Sequence, residues 1–233
     1  MNPVVSIVMT AYNRASLLPA TLDSIFCQDY SFEVIVVEDG CDGKTEEVCK
    51  KYPVRYFSRR NRPEGWCNPS IPNNIGIRQA KGEVLILQNA ENVHLNKNSI
   101  RILSEKVLMN PKTSVFASVW AANQLGNFHQ WYVHPKHNRR PVFFCQAVPL
   151  STVISIRGFD EDYKYYGYDD NDFSRRLGQL GFSFIFLEDV VLKHQWHVSA
   201  PHTREQALIN AKLYDSKVHE NPIRNRDREW GQL

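Results

Sequence analysis

The chain has no CxxC pair. Its five cysteines (Cys27, Cys41, Cys49, Cys67 and Cys145) are an odd number at irregular intervals. That spacing supports neither a zinc ribbon nor a disulfide framework. No apolar run is long enough to cross a bilayer. The opening stretch MNPVVSIVMTAYN lacks the basic n-region of a secretion signal. No glycine-rich phosphate loop follows the first apolar run, where Thr10-Ala11-Tyr12-Asn13 stands instead. There is no strong excess of charge, and a formal net charge of +3 does not make nucleic acid a default partner. Internal repeats and low-complexity tracts are also lacking. These absences lead to an expectation of a reducing cytoplasm, with any membrane association peripheral, through a partner or a surface patch.

What is present is material for a core. A hydrophobic share of 42% with twelve Phe and ten Tyr, in 233 residues, can fill one large domain or two small ones. Only the last dozen residues read as candidates for disorder. Val4 to Met9, Phe32 to Val37, Val54 to Phe57 and Val84 to Leu87 are short β-branched runs that read as strands. Helical spacing falls between them, from Ala15 to Cys27, Lys44 to Lys51 (with Asp42 as the expected N-cap) and Asn73 to Ala80. Strand–helix alternation with short connections predicts a right-handed, mostly parallel sheet. Three of the strands end in polar residues: Thr10 to Asn13, Glu38-Asp39, and Gln88-Asn89-Ala90-Glu91. In such a sheet these turns share one edge, where ligands bind. Any one of them alone is equally well an ordinary polar turn.

The second part reads as a helix from Ser99 to Met109 and a strand from Val115 to Trp120. An aromatic and basic stretch from Phe128 to Pro141 and a strand from Val142 to Val148 follow. Next come a helix opened by Asp169-Asp170-Asn171-Asp172 and capped near Gly181, and a pair of strands, Phe184 to Phe186 and Val190 to Leu192, ending at His194. A last helix is expected from Arg204 to Lys217.

Several of these segments together resemble a known family. They are Val5-Ser6-Ile7-Val8-Met9-Thr10-Ala11-Tyr12-Asn13, Val36-Val37-Glu38-Asp39-Gly40, Asn74 to Glu83, Gly158-Phe159-Asp160-Glu161 and Gly167-Tyr168-Asp169-Asp170-Asn171-Asp172, with the late His194. In that order and spacing, over roughly residues 4 to 197, the chain resembles a family 2 glycosyltransferase of the GT-A fold. The resemblance implies an α/β fold. It is a single GT-A type domain, with a mostly parallel central sheet, helices on both faces, and a Rossmann-like nucleotide-binding half joined to an acceptor-binding half. The expected division is residues 1–95 for the nucleotide sugar, 96–200 for acceptor and catalysis, and 201–233 as a helical and polar tail.

The implied reaction moves a sugar, by an inverting hexosyl or deoxyhexosyl transfer, from a UDP-, GDP- or dTDP-sugar donor to a hydroxyl of a glycan or polysaccharide. The resemblance sets Thr10, Ala11 and Tyr12 beside the base, with Asp39 accepting from a base N–H. The family's Asp-x-Asp stands here as Asn89-Ala90-Glu91, a departure that removes one charge. Glu91 can still bind Mn²⁺ or Mg²⁺, with His194, or His197 in its place, as second ligand. Asn89 is then expected to hydrogen-bond the ribose. The resemblance makes Asp170 the expected general base, because in inverting relatives the second acid of this pair opens a helix facing the acceptor. Crowding with Asp169 and Asp172 should raise at least one pKa, although acids in a first turn also simply match the helix dipole. Trp131, Tyr132 and His134, with Asp169, are the expected acceptor wall, the aromatic segment being otherwise a half-buried hairpin. Arg59, Arg60 or Arg62 could also neutralise phosphates, but they read first as a solvated basic loop. Two other functions compete: a non-catalytic glycan-binding or scaffold protein with a degenerate site, and a sugar-nucleotide pyrophosphorylase, which would want the missing glycine-rich loop.

Overall fold

The computed structural model describes residues 3–40, 43–198 and 203–233. Asp42 and Cys41 lie outside the described residues. The elements run β1 (Val5–Ala11), α1 (Leu18–Phe26), β2 (Phe32–Asp39), α2 (Lys44–Cys49), β3 (Val54–Arg59), α3 (Ser70–Gln79) and β4 (Val84–Asn89). They continue with β5 (Asn92–His94), α4 (Ser99–Met109), β6 (Thr113–Ala122), β7 (Phe128–Val133), β8 (Cys145–Pro149), α5 (Leu150–Ser155), α6 (Asp169–Gln179), β9 (Ser183–His194) and α7 (Arg204–Ser216).

All strands join one sheet in the order β3-β2-β1-β4-β8-β6-β9-β5, with β7 on β6. The sheet is mostly parallel. β3, β2, β1 and β4 run parallel, and so does the long β6–β9 pairing. β8 enters antiparallel between β4 and β6. Thr10 is aligned with Val37 on one side and Asn89 on the other, so the polar ends of β1, β2 and β4 fall on one edge.

Helices cover both faces, because each strand alternates its side chains between them. Ile7, Met9, Val34, Val36 and Ile86 pack under Leu18, Leu22 and Ile25 of α1 and Ile100, Leu103 and Val107 of α4. Val8, Ile35, Val37, Leu85 and Leu87 pack under Ile75 and Ile77 of α3, Val153 of α5, and Phe173 and Leu177 of α6. Helix α3 lies so close to the sheet that a Cβ on Gly76 would meet Val8 Cγ1 at 2.4 Å.

Four sequence expectations are corrected. The two last strands are a single β9, whose register against β6 jumps from Ala117–Leu187 to Ser118–Val191. The exposed pair Glu188-Asp189 is bulged out of the ladder there. Residues 142–144 are not strand, and β8 begins only at Cys145. Helix α3 starts at Ser70 rather than Asn73, because Asn68 Oδ1 accepts from both the backbone N–H (3.0 Å) and hydroxyl (2.6 Å) of Ser70. The C-terminal residues are built into the fold. Trp230 is 3% exposed in the second core, and Gly231 N–H donates to Glu161 Oε1 at 2.8 Å. Elements β5 and α5, three and six residues long, were too short to read from spacing.

Candidate active site

The ends of β1 and β2 bring Tyr12 and Asp39 together. Ala11 is buried and paired with Glu38 in the ladder, and Thr10 is half-buried. Asp39 is itself buried and meets Arg59 Nε at 2.7 Å and Arg62 Nε at 3.6 Å. Burial pushes the Asp39 carboxyl up, against the pull of the two guanidinium groups. The Arg62 guanidinium lies 3.9 Å from the centre of the Tyr12 ring. Tyr12 and Arg62 line a cleft of about 380 Å³ with Trp66, Cys67 and Gln206. The expected solvated basic loop is therefore corrected for Arg59 and Arg62, while Arg60 is exposed as expected. Arg59 is 7% exposed at the end of β3, and Arg62 is tied to Asp39 and Tyr12. Glu38 accepts from the Tyr56 hydroxyl, which supports the turn.

Beyond β4 the chain makes the Asn89-Ala90-Glu91 turn. Its base is held by a buried relay: His94 Nε2 donates to Gln88 Oε1 at 2.8 Å, and Gln88 Nε2 donates to the Asn92 carbonyl at 2.9 Å. Burial pushes the His94 pKa down to about 3, so the ring is neutral. β5 pairs Asn92 with His194, which sets the end of β9 against the turn. Glu91 Oε1 then lies 2.9 Å from His197 Nε2, 3.5 Å from His194 Nε2 and 3.3 Å from Arg14 Nε. Burial raises the Glu91 carboxyl, but hydrogen bonds from the two histidines and the charge of Arg14 outweigh it and hold the group well below the usual carboxylate range. Glu91, His194 and His197 offer one oxygen and two nitrogens that all lie within 4.8 Å of one another. A carboxylate with two imidazoles is a donor set suited to Mn²⁺.

The acid cluster stands at the start of α6. Gly167 (φ 83°) and Tyr168 (φ 71°) turn the chain through left-handed conformations just before it. For tyrosine that is a strained position. Asn210 of α7 holds this turn by donating to the carbonyls of Tyr165 (2.6 Å) and Gly167 (2.8 Å). Asp169 is 5% exposed and accepts from Asn68 Nδ2 at 3.1 Å. Asp169 and Asp170 line one cleft of about 170 Å³ with Asn89, Phe143, Phe144 and Tyr166. Burial, then mutual repulsion, pushes the Asp169 carboxyl up. Burial does the same to Asp170, against the pull of Arg140. Asp172 is different. It is fully buried with Arg175 (2.6 Å), Arg176 (2.7 Å) and Arg224 (3.2 Å), and their charges lower its pKa against burial. It holds the fold, while the other two face the cleft.

The aromatic segment divides. Tyr132 stacks on Phe144 at 4.6 Å and meets His194 edge-on at 5.1 Å, which puts it beside the cleft. Trp131, its neighbour in β7, packs on Phe128, His134 and His137. His134 is buried and its Nδ1 accepts from Lys136 N–H at 3.1 Å. Neither Trp131 nor His134 lines the cleft of the acid pair. Arg14, Asn68 and Tyr166 stand beside these candidate groups without having been singled out by sequence patterning. The one signal for Arg14 is its place in the turn after β1.

Comparisons to known proteins show the family and the fold. The model of glycosyl transferase family 2 matches residues 6–186, so the chain belongs to that family. An uncharacterized glycosyltransferase of Rickettsia bellii is 32% identical over 67% of this chain and 22% of its own length. Chondroitin synthase of Escherichia coli is 22% identical over 91% of this chain and 38% of its own length. The chain thus spans well under half of these relatives. Staphylococcus aureus TarS (residues 1–349) in complex with UDP superposes with a TM-score of 0.71 at 17% identity, covering 95% of this chain and 66% of that one. The mannosyltransferase PcManGT of Pyrobaculum calidifontis, in complex with GDP-Man and Mn²⁺, gives 0.64 at 18% identity, covering 92% and 62%. The fold is that of GT-A glycosyltransferases.

Proposed function

We propose that this glycosyltransferase moves a hexosyl or deoxyhexosyl group from a nucleotide-diphosphate sugar to a hydroxyl of a glycan or polysaccharide, with inversion. The observation that carries the reading is the shared cleft of Asn89, Asp169 and Asp170, whose wall residue Phe144 has its ring 5.5 Å from that of His194. The acceptor side and the Glu91–His194–His197 cluster are therefore neighbours.

Tyr12 offers a ring face to the base and Asp39 an acceptor for a base N–H. TarS has been solved with UDP-GlcNAc and PcManGT with GDP-Man, so UDP- and GDP-sugars are the first donors to try here. Glu91, His194 and His197 would hold Mn²⁺ or Mg²⁺. When bound, such a cation supplies a Lewis acid for the leaving diphosphate. Asp170 takes the proton of the acceptor hydroxyl as its oxygen bonds to the anomeric carbon, while the bond from that carbon to the diphosphate oxygen breaks. A carboxylate whose pKa burial has raised is a stronger base for this step. A displacement in one step inverts the anomeric centre. Asp169, pinned by Asn68, shapes the acceptor side, and Tyr132 offers a ring near it. Trp131 and His134 would reach only the outer part of a long acceptor.

The test is transfer from a panel of radiolabelled UDP-, GDP- and dTDP-sugars with Mn²⁺, on wild type and Asp170→Asn. The variant should lose about 10² to 10⁴ in turnover while still binding the nucleotide. Near-normal turnover in the variant removes Asp170 as base. No transfer or hydrolysis with any donor would favour a non-catalytic glycan binder.

A further inference from the structure

Arg14 sits inside the carboxylate–histidine cluster. Its side chain is 15% exposed, and its Nε lies 3.3 Å from Glu91 Oε1. Its Nη2 lies 2.9 Å from His197 Nδ1. An arginine carries five N–H donors and no acceptor, and it does not give up its proton. The contact to His197 therefore has one sense: Arg14 donates, and Nδ1 accepts with its lone pair. The ring then carries its hydrogen on Nε2. That N–H donates to Glu91 Oε1 at 2.9 Å. In this arrangement Nε2 has no lone pair left for a cation, although Nε2 is the nitrogen that faces Glu91 and His194.

The alternative tautomer also has a partner in place. The Val198 carbonyl is 3.0 Å from the same Nδ1. With hydrogen on Nδ1, the ring donates to that carbonyl and opens the Nε2 lone pair toward Glu91. A backbone carbonyl on the far nitrogen is the usual support of a metal-binding histidine. But an N–H on Nδ1 would face the N–H groups of Arg14, and the two repel. A divalent charge beside Glu91 would repel the guanidinium as well. The two arrangements exclude one another through the hydrogen on a single ring, with no net uptake of protons.

We propose that Arg14 and a divalent cation are alternative occupants of the Glu91–His197 pair, and that Arg14, once displaced, binds the donor diphosphate. The second half follows from charge. A mostly buried guanidinium that has lost its carboxylate needs another anion. The diphosphate that arrives with the cation is one, and it fits the planar fork. This rests on the proposed cation and donor site. It adds that Arg14 competes with the cation for its ligands, and that metal and diphosphate bind cooperatively because one frees the ligand of the other.

The probe is Mn²⁺ alone, titrated without nucleotide and followed by the electron spin resonance of the free ion. Arg14→Ala should bind Mn²⁺ about tenfold more tightly than wild type, since the charge-assisted contacts that compete are gone. At saturating Mn²⁺ it should bind UDP or GDP about tenfold more weakly. Arg14→Lys keeps the charge but not the fork and should fall between. Unchanged or weaker Mn²⁺ binding in Arg14→Ala overturns the competition, and unchanged UDP and GDP binding overturns the diphosphate role. Glu91→Ala separates the two levels. If it too binds Mn²⁺ as wild type does, the proposed metal site fails; if it alone loses Mn²⁺ while Arg14→Ala matches wild type, only the present inference fails. A readout independent of any variant is the tautomer of His197 in the metal-free protein, seen by ¹⁵N–¹H correlation. Hydrogen on Nε2 supports the inference, and hydrogen on Nδ1 refutes it.

Discussion

At the scale of single residues, the site consists of charged groups whose partners set their behaviour. Asp169 shows this for protons. Burial raises its pKa above that of an unfolded aspartate, near 4. The folded chain therefore holds a proton that the unfolded chain releases, and this group lowers stability as pH rises from about 4 through the raised pKa, by at most about 1.4 kcal/mol per pH unit. Asp169→Asn copies the protonated form and keeps an oxygen for Asn68. Its Tm should exceed that of wild type at pH 8, and the gap should close toward pH 4; an equal Tm at both pH values would contradict a buried, protonated Asp169. Arg62 shows the same dependence for ligands. It covers the Tyr12 ring and reaches Asp39, so a base bound there as proposed would have to displace it. Arg62→Ala should bind the free nucleoside about two- to fivefold more tightly, the size of an exposed cation–π contact, as measured by calorimetry. The residue types of this site were readable in sequence, from the polar strand ends and the acid cluster. Arg14 was not, because a lone arginine in a turn carries no periodicity and its partner His197 lies 183 residues along the chain.

At the scale of elements, the parallel half was legible and the later half was less so. Strands β1, β2 and β4 are largely buried on both faces, β3 is the half-buried edge strand, and helices separate all four, so apolar runs and their spacing mark them within a residue or two. The apolar pattern of β9 breaks into two runs because its bulge exposes Glu188 and Asp189 in mid-strand. The effect of elements on the site is clearest at α7. This helix carries a capping box, Thr203 with Gln206, and uses Asn210 to hold the Tyr165 and Gly167 carbonyls ahead of α6. Asn210→Ala leaves two carbonyls without their buried donor and should cost about 1 to 3 kcal/mol, read by urea unfolding. Because that turn aims Asp169 and Asp170, turnover should fall more than nucleotide affinity. Equal losses in both would mean that α7 only adds stability.

At the scale of the whole molecule, the C-terminal segment closes the structure. Arg224 reaches Asp172 in α6 and Asp160, Lys217 pairs with Asp160 at 2.6 Å, and Trp230 fills the second core. Asp172 has its pKa lowered by three arginines, so its contribution is fully present above the unfolded value near 4 and is lost as pH falls through the lower folded value. Asp172→Ala strands these arginines and should cost about 3 to 5 kcal/mol at pH 7, with a penalty that shrinks as pH falls below about 4; a penalty independent of pH would mean that packing, not charge, accounts for it. Among the described residues no helix is long and apolar enough to cross a membrane. The sequence alone determined the strand–helix order, the shared edge of the polar strand ends, the acids at the head of α6 and the resemblance to the family, because these rest on local periodicity and on motifs a few residues long. Only the tertiary structure decided which groups meet. It gave Asp172 to the fold and Asp169 and Asp170 to the cleft, joined Glu91 to both His194 and His197, and set Arg14 among them. Those pairings span up to 183 residues of chain, and they arise from sheet register and the packing of one element on another.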